Sequence, residues 1–95
     1  MKEDECALTI ATVGQSKSLF IQAIDEAENG EFQLAHVHFQ QGEKLLDDMS
    51  YQQFMQFSQM KENYLYLHIQ NHIAATEIMR LLASKFIKLY EEKKG

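Results

Sequence analysis

The run Tyr64-Leu-Tyr-Leu-His-Ile-Gln-Asn-His-Ile-Ala-Ala-Thr-Glu-Ile-Met-Arg-Leu-Leu-Ala-Ser-Lys-Phe-Ile-Lys-Leu-Tyr90 contains neither glycine nor proline, and its apolar residues return at steps of three and four. That spacing predicts one long helix over residues 60–92. At ~100° per residue from Tyr64, the residues Leu67, Asn71, Ala75, Ile78, Leu82, Phe86 and Leu89 fall within about 60° of one direction. They form a coiled-coil-like seam with a single polar member. Leu65, Ile69, Met79, Ala83, Ile87 and Tyr90 extend the apolar surface to one side, so the arc exceeds the ~100° stripe of an ordinary surface helix. Such a helix has to be covered on two sides. The rest of its own chain can cover one, and the same helix of another copy is the natural cover for the other. At ~1.5 Å per residue the helix approaches ~48 Å, longer than a small domain is wide.

Outward from this helix, two more segments show helical spacing. Residues 3–27 carry Ala7, Ile10, Ala11, Phe20, Ile21, Ile24 and Ala27 and stop at Glu28-Asn29-Gly30, a C-terminal signal. The polar stretch 12–18 contains Gly14, which predicts a kink or a locally open surface. A second helix starts near Phe32, carries Leu34, Ala35, Val37, Phe39, Leu45, Leu46 and Met49, and is expected to end near residues 48–50. The glutamine-rich segment 51–59, with Phe54 and Phe57, reads equally as helix continuation or as a turn. No segment alternates in the manner of a β-strand. The expectation is an all-α, antiparallel three-helix bundle with a long C-terminal helix, a single domain over residues 1–95.

Composition narrows the class further. The 95 residues are 45% hydrophobic, enough for one core. With 14 acidic against 9 basic residues, the formal net charge of -5 is opposite to the basic footprint of nucleic-acid binding, which is therefore not expected. Six of the nine basic residues lie from Lys61 onward, and Lys93-Lys94 suit the negative end of a helix dipole. Cys6 is the lone cysteine; it has no partner for a disulfide, fits a reducing compartment, and receives no role. The N-terminus is acidic, and no apolar run reaches the ~18 residues that a membrane span requires. A cytoplasmic location is expected.

The chemistry concentrates on the long helix. His68 and His72, four residues apart, share a face between the two apolar flanks. They could be a metal-ligand pair, or an imidazole nucleophile with a second imidazole beside it. The His-Glu-x-x-His pattern is absent, and the nearest following carboxylate, Glu77, points away on the wheel. Asn71 sits near the centre of the seam, where a polar residue can fix register and oligomer number. His36 and His38, two apart, fall on different faces and read as ordinary residues. No phosphate-binding glycine loop, nucleophile elbow or paired-carboxylate arrangement occurs.

His68-Ile-Gln-Asn-His72, then Ala75-Thr76 and Phe86-Ile-Lys-Leu-Tyr90, resembles the helix of the lactose/cellobiose-type (chitobiose-type) IIA proteins of the bacterial sugar phosphotransferase system. Gly14-Gln-Ser-Lys-Ser18, residues 23–27, and Glu28-Asn-Gly-Glu-Phe32 with Ala35 resemble that family's first helix, turn and second helix. The resemblance runs from about Ala7 to Tyr90. It implies that His68 accepts a phosphoryl group from phospho-HPr and passes it to a cysteine of the cognate IIB. IIB phosphorylates the incoming sugar, and the membrane component IIC is met only indirectly. The chain would be a relay rather than a self-contained enzyme, serving a disaccharide or β-glucoside. Neutral imidazole is nucleophilic near neutral pH, and a protonated ring leaves readily. Transfer then depends on positioning and on donors to the phosphoryl oxygens, roles assigned to His72 and Gln70.

The resemblance also implies a homotrimer of nine helices and a metal position on its axis. There the family carries aspartate, whereas this chain has Asn71. Asparagine keeps an oxygen ligand but loses the charge, so no tightly held Mg or other divalent cation is expected, and no cofactor is required. Asn71 also removes the repulsion between three axial carboxylates. A second departure is the segment 49–60, shorter than usual and without the family's histidine-containing stretch. Two other readings remain open: a regulatory or binding module on the same scaffold, and a helical metal-binding protein using His68 and His72.

Overall fold

The computed structural model describes residues 3–55 and 64–94. They form three helices, α1 (Glu3–Glu28), α2 (Phe32–Met55) and α3 (Tyr64–Lys94), and no strand occurs among the described residues. The bundle measures 50 × 18 × 17 Å. Its long dimension is that of α3, whose 31 residues rise ~46 Å at ~1.5 Å each. No helix among the described residues is long and apolar enough to cross a membrane.

α1 ends where the sequence indicates. Gly30 adopts φ +81, the left-handed region that costs most L-residues roughly 1–2 kcal/mol. Its N–H donates to the Ala27 carbonyl at 3.0 Å, and the Glu31 N–H donates to the Glu26 carbonyl at 2.8 Å. This pair of bonds is the Schellman arrangement, which satisfies carbonyls that the helix end would leave unpaired. A Cβ at Gly30 would also stand 2.8 Å from Lys94 Nζ, but that is the far end of a flexible chain. Gly30→Ala is therefore expected to cost about 1–2 kcal/mol through the backbone, read as a lower urea midpoint with unchanged slope.

One boundary differs from the sequence reading. α2 does not end at 48–50 but runs on to Met55. Residues 50–55 include no glycine or proline to stop it, and Tyr51 and Gln52 remain solvent-exposed. The remainder of the 51–59 segment, and the expected start of the third helix at 60–63, lie mostly outside the described residues. The polar stretch 12–18 interrupts nothing: α1 is continuous, and Gly14 instead marks open surface, with nothing within 4 Å of a Cβ built there.

The core has two parts. Val13, Phe20, Leu46, Ile69, Ile73 and Ala83 form one, and Ala23, Ala27, Ala35 and Ile87 the other. α1 and α2 approach closely at Gly42. Its carbonyl accepts a 2.7 Å bond from buried Ser16 Oγ, and a Cβ there would lie 2.9 Å from Phe20 Cε1. The glycine lets the Phe20 ring lie against the backbone of α2, with Phe39 tilted against it at 5.3 Å between centroids.

Polar ties close the bundle along its sides. Arg80 of α3 donates from Nε to Glu43 Oε2 at 2.9 Å and from Nη1 to Asp47 Oδ1 at 2.9 Å, both on α2. Burial opposes the guanidinium charge, but the bonds to Asp47 and Glu43 outweigh it and raise the pKa above its ordinary value. Buried Glu26 holds His38 Nδ1 with both oxygens, at 2.7 and 2.8 Å, and His36 meets Glu91 at 3.1 Å. The two histidines thus point to different neighbours, as a spacing of two requires, and both join helices.

Candidate functional site

The histidine pair stands near the start of α3. Ile69 and Ile73 are buried in the core, and they anchor the two turns that carry His68 and His72. An anchored helix fixes the direction of residues three and four apart. His68 is exposed and His72 half-buried. Their rings meet edge to face, 4.6 Å between centroids at 85°. Below His72, the buried Thr76 hydroxyl donates to the His72 carbonyl at 2.8 Å, tying that turn to the core side of the helix.

An exposed imidazole with a second ring against its edge can act as a nucleophile beside a donor. The other site residues sit differently. Gln70, two residues from His68, lies about 200° around the helix, so within one chain it is not on the side of the imidazole pair. Asn71 is exposed, on the face left uncovered by the bundle. That face also bears Leu67, 54% exposed, and Ile78, 62% exposed, followed by Leu82, Phe86 and Leu89. Thus the residues of the seam face outward, while Ile69, Ala83 and Ile87 pack inward. Among the described residues, no group of three His, Cys, Asp or Glu side chains could hold a metal ion. A metal on the His68–His72 pair would therefore need further ligands from beyond these residues.

Reading the sequence missed Ile73 and Thr76 as core members of α3. Both lie on the wheel beside Ile69, which was the available signal. It also missed the Glu26–His38 tie, which no spacing within one helix could reveal.

Fold and site together define a small helical-bundle protein that presents a paired imidazole next to an uncovered apolar helix face. The family model "PTS system, Lactose/Cellobiose specific IIA subunit" matches residues 6–91, and the chain belongs to that family. No curated protein matches it. Its fold is similar to that of a chain in the solution structure of the IIA(Chitobiose)–HPr complex of the N,N'-diacetylchitobiose branch of the Escherichia coli phosphotransferase system. The TM-score is 0.88 at 24% identity, over 100% of this chain and 99% of that chain.

Proposed function

We propose that the protein, as one domain over residues 1–95, is a cytoplasmic phosphoryl carrier of a sugar phosphotransferase system, and that His68 is the acceptor. An imidazole nitrogen of His68 forms a P–N bond as the P–N bond of phospho-HPr breaks. The group then passes to a cysteine thiolate of the cognate IIB, which restores the free ring. The sugar served is a disaccharide or β-glucoside of the lactose, cellobiose and chitobiose class.

The observation that carries this reading is the exposed His68 ring set edge-on against half-buried His72, in a chain of the IIA family. His72 is placed to donate toward a phosphoryl oxygen on His68, and a transfer of this kind relies mainly on such positioned donors. Self-association completes the proposal. The exposed face of α3 is too apolar to remain in water on a monomer of this size, and its burial in a trimer would set Asn71 near the axis. There, three neutral amides would hold a divalent cation weakly.

Incubation with enzyme I, HPr and phosphoenolpyruvate, followed by intact mass, is expected to add one phosphoryl group to the wild type. An unlabelled wild type, under conditions that label another IIA, would refute the carrier reading and favour a binding module on the same scaffold. Light scattering at concentrations on the order of tens of micromolar addresses assembly separately: a single-chain mass would remove the trimer.

A further inference from the structure

Two histidines lie outside the site described above, and they are held in different ways. Glu91 takes Nε2 of His36 at 3.1 Å, with the two side chains 49% and 40% exposed, so water screens that contact. In the second pair, His38 Nδ1 donates to both oxygens of Glu26, at 2.7 and 2.8 Å, and the side chains are only 20% and 10% exposed. A carboxylate so placed fixes the tautomer, with the proton on Nδ1 and a lone pair on Nε2. Nε2 of His38 has no hydrogen-bond partner among the described residues. Such a nitrogen is a nucleophile, and nothing in the transfer at His68 uses it.

The groove beside it has room for a small molecule. On α1, Gln15, Leu19, Gln22 and Glu26 recur at steps of four, three and four. On α2, His38, Gln41 and Leu45 recur at three and four, so each set shares a helix face. The two rows meet where Glu26 receives His38, and Gln22 adds a 3.4 Å bond to Glu26 Oε2. Further along, Gln15, Leu19, Gln41, Lys44 and Leu45 line a cavity of about 350 Å³, a size usual for small-molecule sites. All five belong to α1 and α2, so neither α3 nor His68 takes part.

The position of His38 follows from contacts between these antiparallel helices. Gly42 accepts from Ser16, and Phe39 meets Phe20, so His38 stands level with the turn holding Phe20 and Ile21, between the cavity and Glu26. The carboxylate therefore reaches Nδ1 from the end away from the cavity. Because the two ring nitrogens point in divergent directions, Nε2 is turned to the cavity's side. Lys44 makes no ion pair among the described residues. A free ammonium, the carboxamides of Gln15 and Gln41 and a nucleophilic nitrogen suit a small anion that carries a phosphoryl group. No carboxylic acid or second imidazole lines the cavity to protonate what departs, so the leaving group has to be a stable anion. A mixed anhydride of phosphoric and carboxylic acids supplies one.

We infer that His38 is a second phosphoryl acceptor, served by small acyl phosphates rather than by a protein donor. Lys44, Gln15 and Gln41 hold the phosphoryl oxygens. The Nε2 lone pair forms a P–N bond as the bond from phosphorus to the acyl oxygen breaks, and the electron pair leaves with the carboxylate. No proton moves: the positive charge that develops on the ring lies against Glu26, where burial limits screening. A half-buried ring within a groove is closed to a protein surface, whereas exposed His68 is open to one. The chain thus answers to two kinds of donor at two separate places.

Acetyl phosphate, with neither enzyme I nor HPr present, is the probe. On the His68→Ala protein it is expected to add one phosphoryl group by intact mass at neutral pH, and NMR is expected to place the phosphorus on Nε2 of His38. Adding Glu26→Gln keeps the shape and removes the charge, and labelling should slow about ten- to a hundredfold with circular dichroism unchanged. Lys44→Gln should raise the acetyl phosphate concentration that gives half the maximal rate and leave the maximal rate as it is; an unaltered concentration dependence overturns the cavity as the seat. An unlabelled His68→Ala protein, a label on His36 or His72, or phosphorus on Nδ1 overturns the inference, as does Glu26→Gln labelled at an undiminished rate. Should Glu26→Gln lose its helical signal, the residue and nitrogen that carry the phosphorus decide. Transfer from phospho-HPr to His68 is measured separately, so this inference and the carrier reading can each fail alone.

Discussion

Phe20→Ala is expected to lower the free energy of unfolding by about 3–5 kcal/mol, which would leave little of the ~5–15 kcal/mol that holds a typical domain together. Phe20 has no exposed surface and lies in the principal core cluster with Val13, Leu46 and Ile69. Removing the ring loses its transfer free energy and leaves a cavity. Collapse of that cavity is resisted by two contacts with α2. The Gly42 backbone is held by its bond from Ser16, and Phe39, on the same helix, packs tilted against the ring at 5.3 Å between centroids. Urea unfolding would show a large fall in midpoint. A loss under 2 kcal/mol would mean that α1 and α2 close the gap, and that the Ser16–Gly42 contact does not hold their separation. Phe20→Leu keeps most of the volume and should cost well under half as much.

The same contact shows what the sequence could and could not disclose. Phe20 fits the apolar period of α1 and reads as core from spacing alone. Gly42 gives no such sign, because a glycine inside a helical pattern shows only a local cost. Its purpose, the close approach of α2 to an aromatic ring, exists only once two helices are placed. The end of α1 was legible since Asn29-Gly30 acts locally, through a left-handed glycine. The end of α2 lies beyond the expected 48–50, and helix continuation, one of the two readings open for residues 51–59, holds as far as Met55; a run of glutamines carries neither period nor breaker, so only the surrounding structure decides its state. On α3 the periodicity correctly indicated two apolar sides. It left open which side belongs to the bundle, a choice made by contacts with α1 and α2 that lie far away in sequence.

The candidate site divides along the same line. That His68 and His72 share a face follows from a spacing of four, which any helix enforces. That one ring is exposed while the other is half-buried depends on how far α1 covers that side of α3. Gln70 was grouped with the two histidines through the family resemblance. Helical geometry separates it from them by about half a turn, so within one chain it is not on the side of the imidazole pair. Residues that act on one another within a helix are therefore readable from spacing, and those that act between chains are not.

Neighbouring positions on α3 should accordingly behave in opposite ways. His68→Ala changes an exposed residue with its ring against only the edge of His72, and surface changes of this kind usually stay within about 0.5 kcal/mol. Its urea midpoint should match the wild type, and its labelling by phospho-HPr should vanish, since no other imidazole on this face is as open to the donor. Ile69→Ala truncates a side chain with no exposed surface in the main core cluster, for which about 2–5 kcal/mol is the usual loss. The variant should unfold at much lower urea. At low temperature, where it remains folded, it should still become phosphorylated, because the nucleophile itself is unchanged. Two measurements on each protein separate acceptor from scaffold. If His68→Ala were labelled like the wild type, His72 or another residue would be the acceptor. If Ile69→Ala were as stable as the wild type, α3 would not be seated on the bundle through Ile69, and the orientation of the imidazole pair would have to come from elsewhere.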